Sequence, residues 1–80
     1  MKIPRDLSGA ALVKILGPMG YEPTRQTGSH IRLTCMTLGE HHITIPNHTP
    51  LKLGTLSAIL AGVAAHHGVT KDELIKKLFG

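Results

Sequence analysis

At 80 residues and 8.6 kDa, with 41% apolar side chains, the chain has room for one small domain, 1–80, and no second core. Nine Lys/Arg against five Asp/Glu give a net charge of +4, and a lone cysteine excludes both an internal disulfide framework and a Cys-rich zinc site. One Tyr and one Phe are too few rings for a sheet that stacks the bases of single-stranded RNA.

The chain opens Met1-Lys2-Ile3-Pro4-Arg5-Asp6, with no apolar run behind the charge, so no secretory signal is expected and a cytoplasmic address is. Ser8 is a good helix cap, and Leu12, Ile15, Leu16 and Met19 follow at i, i+3, i+4 and i+7 as one amphipathic stripe. Gly17-Pro18 and Gly20 end that helix between Leu16 and Gly20.

From Tyr21 the period becomes two. Tyr21 to Thr27 reads as a strand, and Pro23 confines it to an edge or an irregular start. Gly28-Ser29 turns the chain into His30 to Cys35, where Ile31, Leu33 and Cys35 share one face and His30, Arg32 and Thr34 the other. His41 to Pro46 repeats the pattern, with Ile43 and Ile45 inward and His42 and Thr44 outward; Leu38-Gly39-Glu40 suits a three-residue hairpin loop. Matching faces allows two registers, one setting His30 level with His48 and the other with Pro46.

After Pro46-Asn47-His48-Thr49-Pro50, Thr55 is the expected cap of a second helix carrying Leu56, Ile59, Leu60 and Val63. That helix fades near His66-His67-Gly68. Thr70 and Glu73 form a capping box opening a short third helix through Leu74, Ile75 and Leu78. The apolar-rich stretch Leu53 to Ala65 falls short of the ~18–20 residues of a membrane span, so a soluble chain with no membrane partner is expected. The class is α+β in the order αβββα plus a C-terminal helix: a three-stranded antiparallel sheet with helices on one face and a polar face left in water.

Six histidines in so short a chain are the unusual feature. His30, at the start of its strand on the polar face, is the first candidate for chemistry. An imidazole side chain exchanges protons near neutral pH (unperturbed value ~6.5), which is what a metal-free ribonuclease needs to take a proton from a ribose 2′-OH and return one to the leaving 5′-oxygen. Arg25, Arg32 or Lys52 can stabilise the charge on phosphorus, helped by the amides of the Gly28-Ser29 turn. The bland alternative is a solvated histidine. A metal site at His30, His42 and His48 lacks any ligand-spacing signature, so no metal and no cofactor are expected. His66-His67 reads as a cation at a helix C-terminus whenever protonated, and Lys71, Lys76 and Lys77 as a solvated face. The dispersed basic residues fit phosphate contact without sequence-specific readout.

Arg25-Gln26-Thr27-Gly28-Ser29-His30 resembles the R-x-x-G-S-H element of HicA (YcfA-like) toxins, Ile45-Pro46-Asn47-His48 their V-P-x-H turn, and Leu53-Gly54-Thr55-Leu56-Ser57-Ala58-Ile59-Leu60 their x-G-T-L-R-x-I-L helix start. The resemblance runs from about Ser8 to Ala61, with these motifs in the family's order. It implies a double-stranded-RNA-binding-like αβββα fold and an mRNA-cleaving toxin whose catalytic histidine matches His30. It also implies a HicB-type antitoxin partner; with the residue chemistry above, RNA contacts are expected at Arg25, Gly28, Ser29, Arg32, His48 and Lys52. The chain departs from the pattern at Ile31-Arg32-Leu33, where the family often has another histidine and an aromatic, and at Ser57, where it has a basic residue. Residues 64–68 look like an insertion before the last helix. The competing reading is a module of the same fold that binds RNA or docks a protein without catalysis.

Overall fold

Ser8 caps the first helix as expected: its backbone is extended and its Oγ accepts from the Ala11 N–H at 3.0 Å. Helix α1 (Gly9–Leu16) tightens into a 3-10 turn over Gly17–Met19, and Gly20, at φ 97°, closes it in the left-handed conformation that glycine adopts without penalty. The computed structural model describes residues 3–80; Met1 and Lys2, the first residues of the segment expected to lack a secretory signal, lie outside the described residues.

Strands β1 (Tyr21–Thr27), β2 (His30–Cys35) and β3 (His41–Pro46) form an open antiparallel sheet in that order. His30 lies opposite Pro46, Ile31 opposite Ile45 and Leu33 opposite Ile43, which selects the second of the two registers. Leu33, Cys35 and Ile45 are fully buried, while Ile31 and Ile43 pack half-buried at the rim of the core. The expected three-residue loop is in fact five residues, 36–40, because pairing stops at Cys35 and His41 and leaves Met36 and Thr37 in the connection. Leu38 (φ 59°) and Gly39 (φ 102°) reverse the chain there.

Helix α2 spans Leu53–His67 and starts earlier than its expected cap. Lys52, not Thr55, is the N-cap, with extended backbone and no capping side chain. The reason is Leu51, whose buried side chain and N–H bond to Leu7 O (2.8 Å) fix the chain just ahead of the helix and leave Gly54 and Thr55 inside it. Gly68, at φ 68°, ends α2 where expected. Helix α3 (Lys71–Phe79) turns away from α2 by 105°, and its capping box is complete: Thr70 Oγ1 accepts from the Glu73 N–H at 3.0 Å, and the Glu73 carboxylate accepts from the Thr70 N–H at 2.9 Å.

The helices cover the sheet face that carries Leu33, Cys35 and Ile45, burying them with Leu12, Leu16, Leu56, Leu60 and Leu74. The architecture is α+β, compatible with the double-stranded-RNA-binding-like expectation, and among the described residues no single helix is long and apolar enough to cross a membrane. One backbone approach is unusually close. The Gly9 N–H donates to His48 O at 2.9 Å, and a Cβ on Gly9 would overlap the Pro46 carbonyl oxygen. The start of α1 therefore braces the exit of β3.

Candidate functional site

The pairing of β1 with β2 contains an irregularity that decides which side chains meet. Tyr21, Glu22 and Pro23 oppose Cys35, Thr34 and Leu33; the register then shifts, so that Arg25 opposes Arg32 and Thr27 opposes His30. Thr24 is the extra residue of a β-bulge, a device that re-aims side chains. Without it Arg25 would face Ile31 on the core side. With it, Arg25, Thr27, His30, Arg32 and Thr44 line one open concavity of about 180 Å³ on the polar face.

His30 is exposed, and among the described residues no hydrogen bond engages its imidazole. Gly28 (φ 57°) occupies the first of the two turn positions beside it, where primed hairpin turns need a positive φ. Ser29 O accepts from the Asn47 N–H, which ties this turn to the exit of β3. Arg25, His30 and Arg32 are thus brought together beside Gly28 and Ser29. His48 and Lys52 are exposed but do not line the concavity. Thr27 was not singled out in the sequence, and the bulge that brings Arg25 here was signalled only by Pro23, which has no N–H to donate.

A second feature crosses the same face. The Glu40 carboxylate meets His42 Nε2, His42 Nδ1 lies 2.9 Å from Thr34 Oγ1, and Thr34 Oγ1 lies 2.9 Å from Thr24 Oγ1. The chain runs from the 36–40 loop through all three strands to the bulge.

His41 faces the other way, toward Tyr21. The Tyr21 hydroxyl is 2.6 Å from His41 Nδ1, the His41 and His66 rings stack at 4.5 Å, and the His67 ring lies 5.8 Å from that of Tyr21. Burial, then the Cys35 thiol, push the Tyr21 phenol up to about 12. Burial lowers His41, reinforced by His66, His67 and His42; burial also lowers His67, reinforced by His66 and Lys77. These shifts favour a neutral phenol donating to a neutral imidazole. Both His66 and His67 stand in the last turn of α2, as expected of helix-end imidazoles. His66 donates through Nε2–H to Thr37 O at 2.8 Å, and among the described residues His67 Nε2 is buried without a partner, where a proton would be costly.

Ser57 accepts a hydrogen bond from Lys71 Nζ, so the position lacking a basic residue on α2 receives an ammonium from α3. Among the described residues no three His, Cys, Asp or Glu side chains gather so as to hold a metal ion. A second concavity, about 240 Å³, lies between the end of α1 and α3 and includes Lys14, Met19 and Lys77.

Neither the curated proteins nor the solved structures yield a significant match to the chain. A family model described as the HicA toxin of bacterial toxin-antitoxin systems does match, over residues 9–63, a span that includes the bulge, the His30 turn, the exit of β3 and the first part of α2. That span is more than half of the 80 residues, and the chain belongs to the HicA toxin family.

Proposed function

We propose that this toxin is an mRNA endoribonuclease that needs no metal, with His30 as its acid/base. The observation that carries the reading is the gathering of an unengaged imidazole and two guanidiniums around one open concavity. His30 removes the proton from a ribose 2′-OH, and the 2′-oxygen attacks the adjacent phosphorus. The P–O5′ bond then breaks, leaving a 2′,3′-cyclic phosphate, and the departing 5′-oxygen takes its proton from the His30 imidazolium, which returns the imidazole to its starting state. The extra negative charge on the phosphorane oxygens faces Arg25 and Arg32, where preorganised cations stabilise a transition state most. Thr27 and Thr44 hydroxyls can donate to the same oxygens. Gly28 and Ser29 flank the bound phosphate, and His48 and Lys52 extend the basic track for the RNA beyond the reacting linkage.

The transesterification needs only proton transfer and charge stabilisation, both within reach of these side chains. We also propose that a HicB-type antitoxin silences the toxin by covering the polar sheet face at its His30 end. The test is expression in a bacterial host of the chain and of His30→Ala, reading growth and transcript integrity together, with purified protein assayed in a chelator. Cleavage that disappears in His30→Ala and persists in the chelator supports the reading. Cleavage that survives the substitution removes His30 from the role, and an intact fold that binds RNA without cutting it favours the non-catalytic module.

A further inference from the structure

The turn pair Thr27↔His30 and the far pair Tyr21↔Cys35 together force one extra residue into β1, because six steps on β1 face five on β2. Topology alone does not say where that residue falls. Were it at Gln26, Thr24 would oppose Arg32, and Arg25 would oppose Ile31 on the core side. The position of the bulge therefore decides whether Arg25 reaches the His30 concavity at all.

We infer that the Glu40–His42–Thr34–Thr24 chain pins the bulge at Thr24 and thereby presents Arg25 to the concavity, so that His42 and Thr24 are positioning residues for this site. A bulged residue loses its ladder partner. The Thr24 side chain makes up for this through Thr34 Oγ1 at 2.9 Å and lies 3.5 Å from Arg32 O. With His42 neutral, proton count gives the chain a single direction. A carboxylate only accepts, so His42 Nε2 carries the proton toward Glu40, and in the neutral ring Nδ1 accepts from Thr34. The Thr34 hydroxyl proton is then committed, so Thr24 donates to Thr34. Slipping the bulge toward the turn would break the last of these bonds. Thr34 is half-buried, and none of the four residues lines the concavity.

The inference rests on the nuclease reading only for its RNA readouts. Thr24→Val removes the hydroxyl while keeping shape and strand preference, and Thr24→Ser restores the hydroxyl. His42→Phe cuts the chain two hydrogen bonds away from the bulge. Cross-strand NOEs report the register without ligand: Thr24→Val and His42→Phe are expected to weaken the Arg25–Arg32 contact in favour of Arg25–Ile31, and Thr24→Ser to retain it. Affinity for a fully 2′-O-methylated oligoribonucleotide, which cannot be cut, is expected to fall about tenfold in both disrupted variants, the scale of one lost charge-assisted contact. An unchanged Arg25–Arg32 NOE in Thr24→Val and His42→Phe overturns the inference, whatever the affinity does. If the unmodified protein neither binds nor cleaves RNA, the nuclease reading fails, and the NOE comparison still decides the role of Thr24 and His42.

Discussion

Arg25 stands directly across the sheet from Arg32, in register on the polar face, and among the described residues neither guanidinium pairs with a carboxylate. Like charges at opposed positions destabilise a sheet, by roughly 0.2–1 kcal/mol on the scale of cross-strand pairs. A site arranged for anions carries such a penalty until an anion arrives. Arg25→Gln is therefore expected to raise the thermal midpoint slightly at low salt and to weaken RNA binding. The slope of log affinity against log salt should become shallower by about 0.7 on single-stranded RNA, the mark of one lost phosphate contact. Parallel thermal melts and salt titrations check both halves, and a variant that is less stable and equally avid contradicts the anion reading.

His30→Ala is expected to lower cleavage by about 10²–10⁴-fold, the range of a positioned acid/base. Affinity for the uncleavable oligonucleotide should change little, because an exposed imidazole without a hydrogen bond supports neither core nor ladder. Kinetics on the cleavable RNA beside binding of the methylated one separates the two effects.

Gly9 connects stability to the site. Its N–H holds His48 O, Asn47 N–H holds Ser29 O, and Ser29 precedes His30, so the start of α1, the exit of β3 and the His30 turn form one backbone cluster. Gly9→Ala drives a Cβ into the Pro46 carbonyl oxygen. Relief requires the strand exit to move, at a cost on the order of 1–3 kcal/mol for overpacking. At roughly 4–8 °C per kcal/mol in a domain of this size, the melting midpoint should drop by several degrees or more. Cleavage measured well below that midpoint should fall as well, since the turn that carries His30 is displaced with the strand exit.

Local signals in the chain carried most of the fold. Ser8, Gly20, Gly68 and the Thr70/Glu73 pair each end or begin an element through a bond or a backbone conformation that a single residue type supplies. Alternation along His30–Cys35 and His41–Pro46 was enough to put His30 and Arg32 on the open face. Thr55 misled because capping chemistry was present without a helix end, whose place was set by the anchoring of Leu51 to a distant segment. The bulge was hidden for a related reason: Arg25 faces Arg32 only once the pairings at both ends of β1 are known. Tyr21, His41, His66 and His67 come from three separate elements, and no spacing in one segment announces their meeting.

That tyrosine–histidine cluster makes stability depend on pH in a defined direction. His41 and His67 lie below their ordinary value in the folded chain, lowered first by burial and then by neighbouring positive charge. The unfolded chain therefore binds more protons than the folded one just below ~6.5, and stability must fall as protons are added there. The contribution is complete above ~6.5 and is lost as pH drops through the lowered folded-state values. Melting midpoints should decline between pH 7.5 and 5 (about the range in which histidines titrate), and His67→Phe, which keeps a ring beside Tyr21 without a titrating nitrogen, should flatten the decline. On the alkaline side the phenol, raised to about 12, adds stability that is present below its unfolded value of 10.0 and is lost as pH rises through the folded value. With one Tyr and no Trp in the chain, absorbance near 295 nm follows this group alone. The midpoint should sit near 12 in the folded protein and return toward 10.0 in denaturant. A folded-state midpoint at the ordinary value would mean that Tyr21 is not buried against His41, and the acid-side prediction would fail with it.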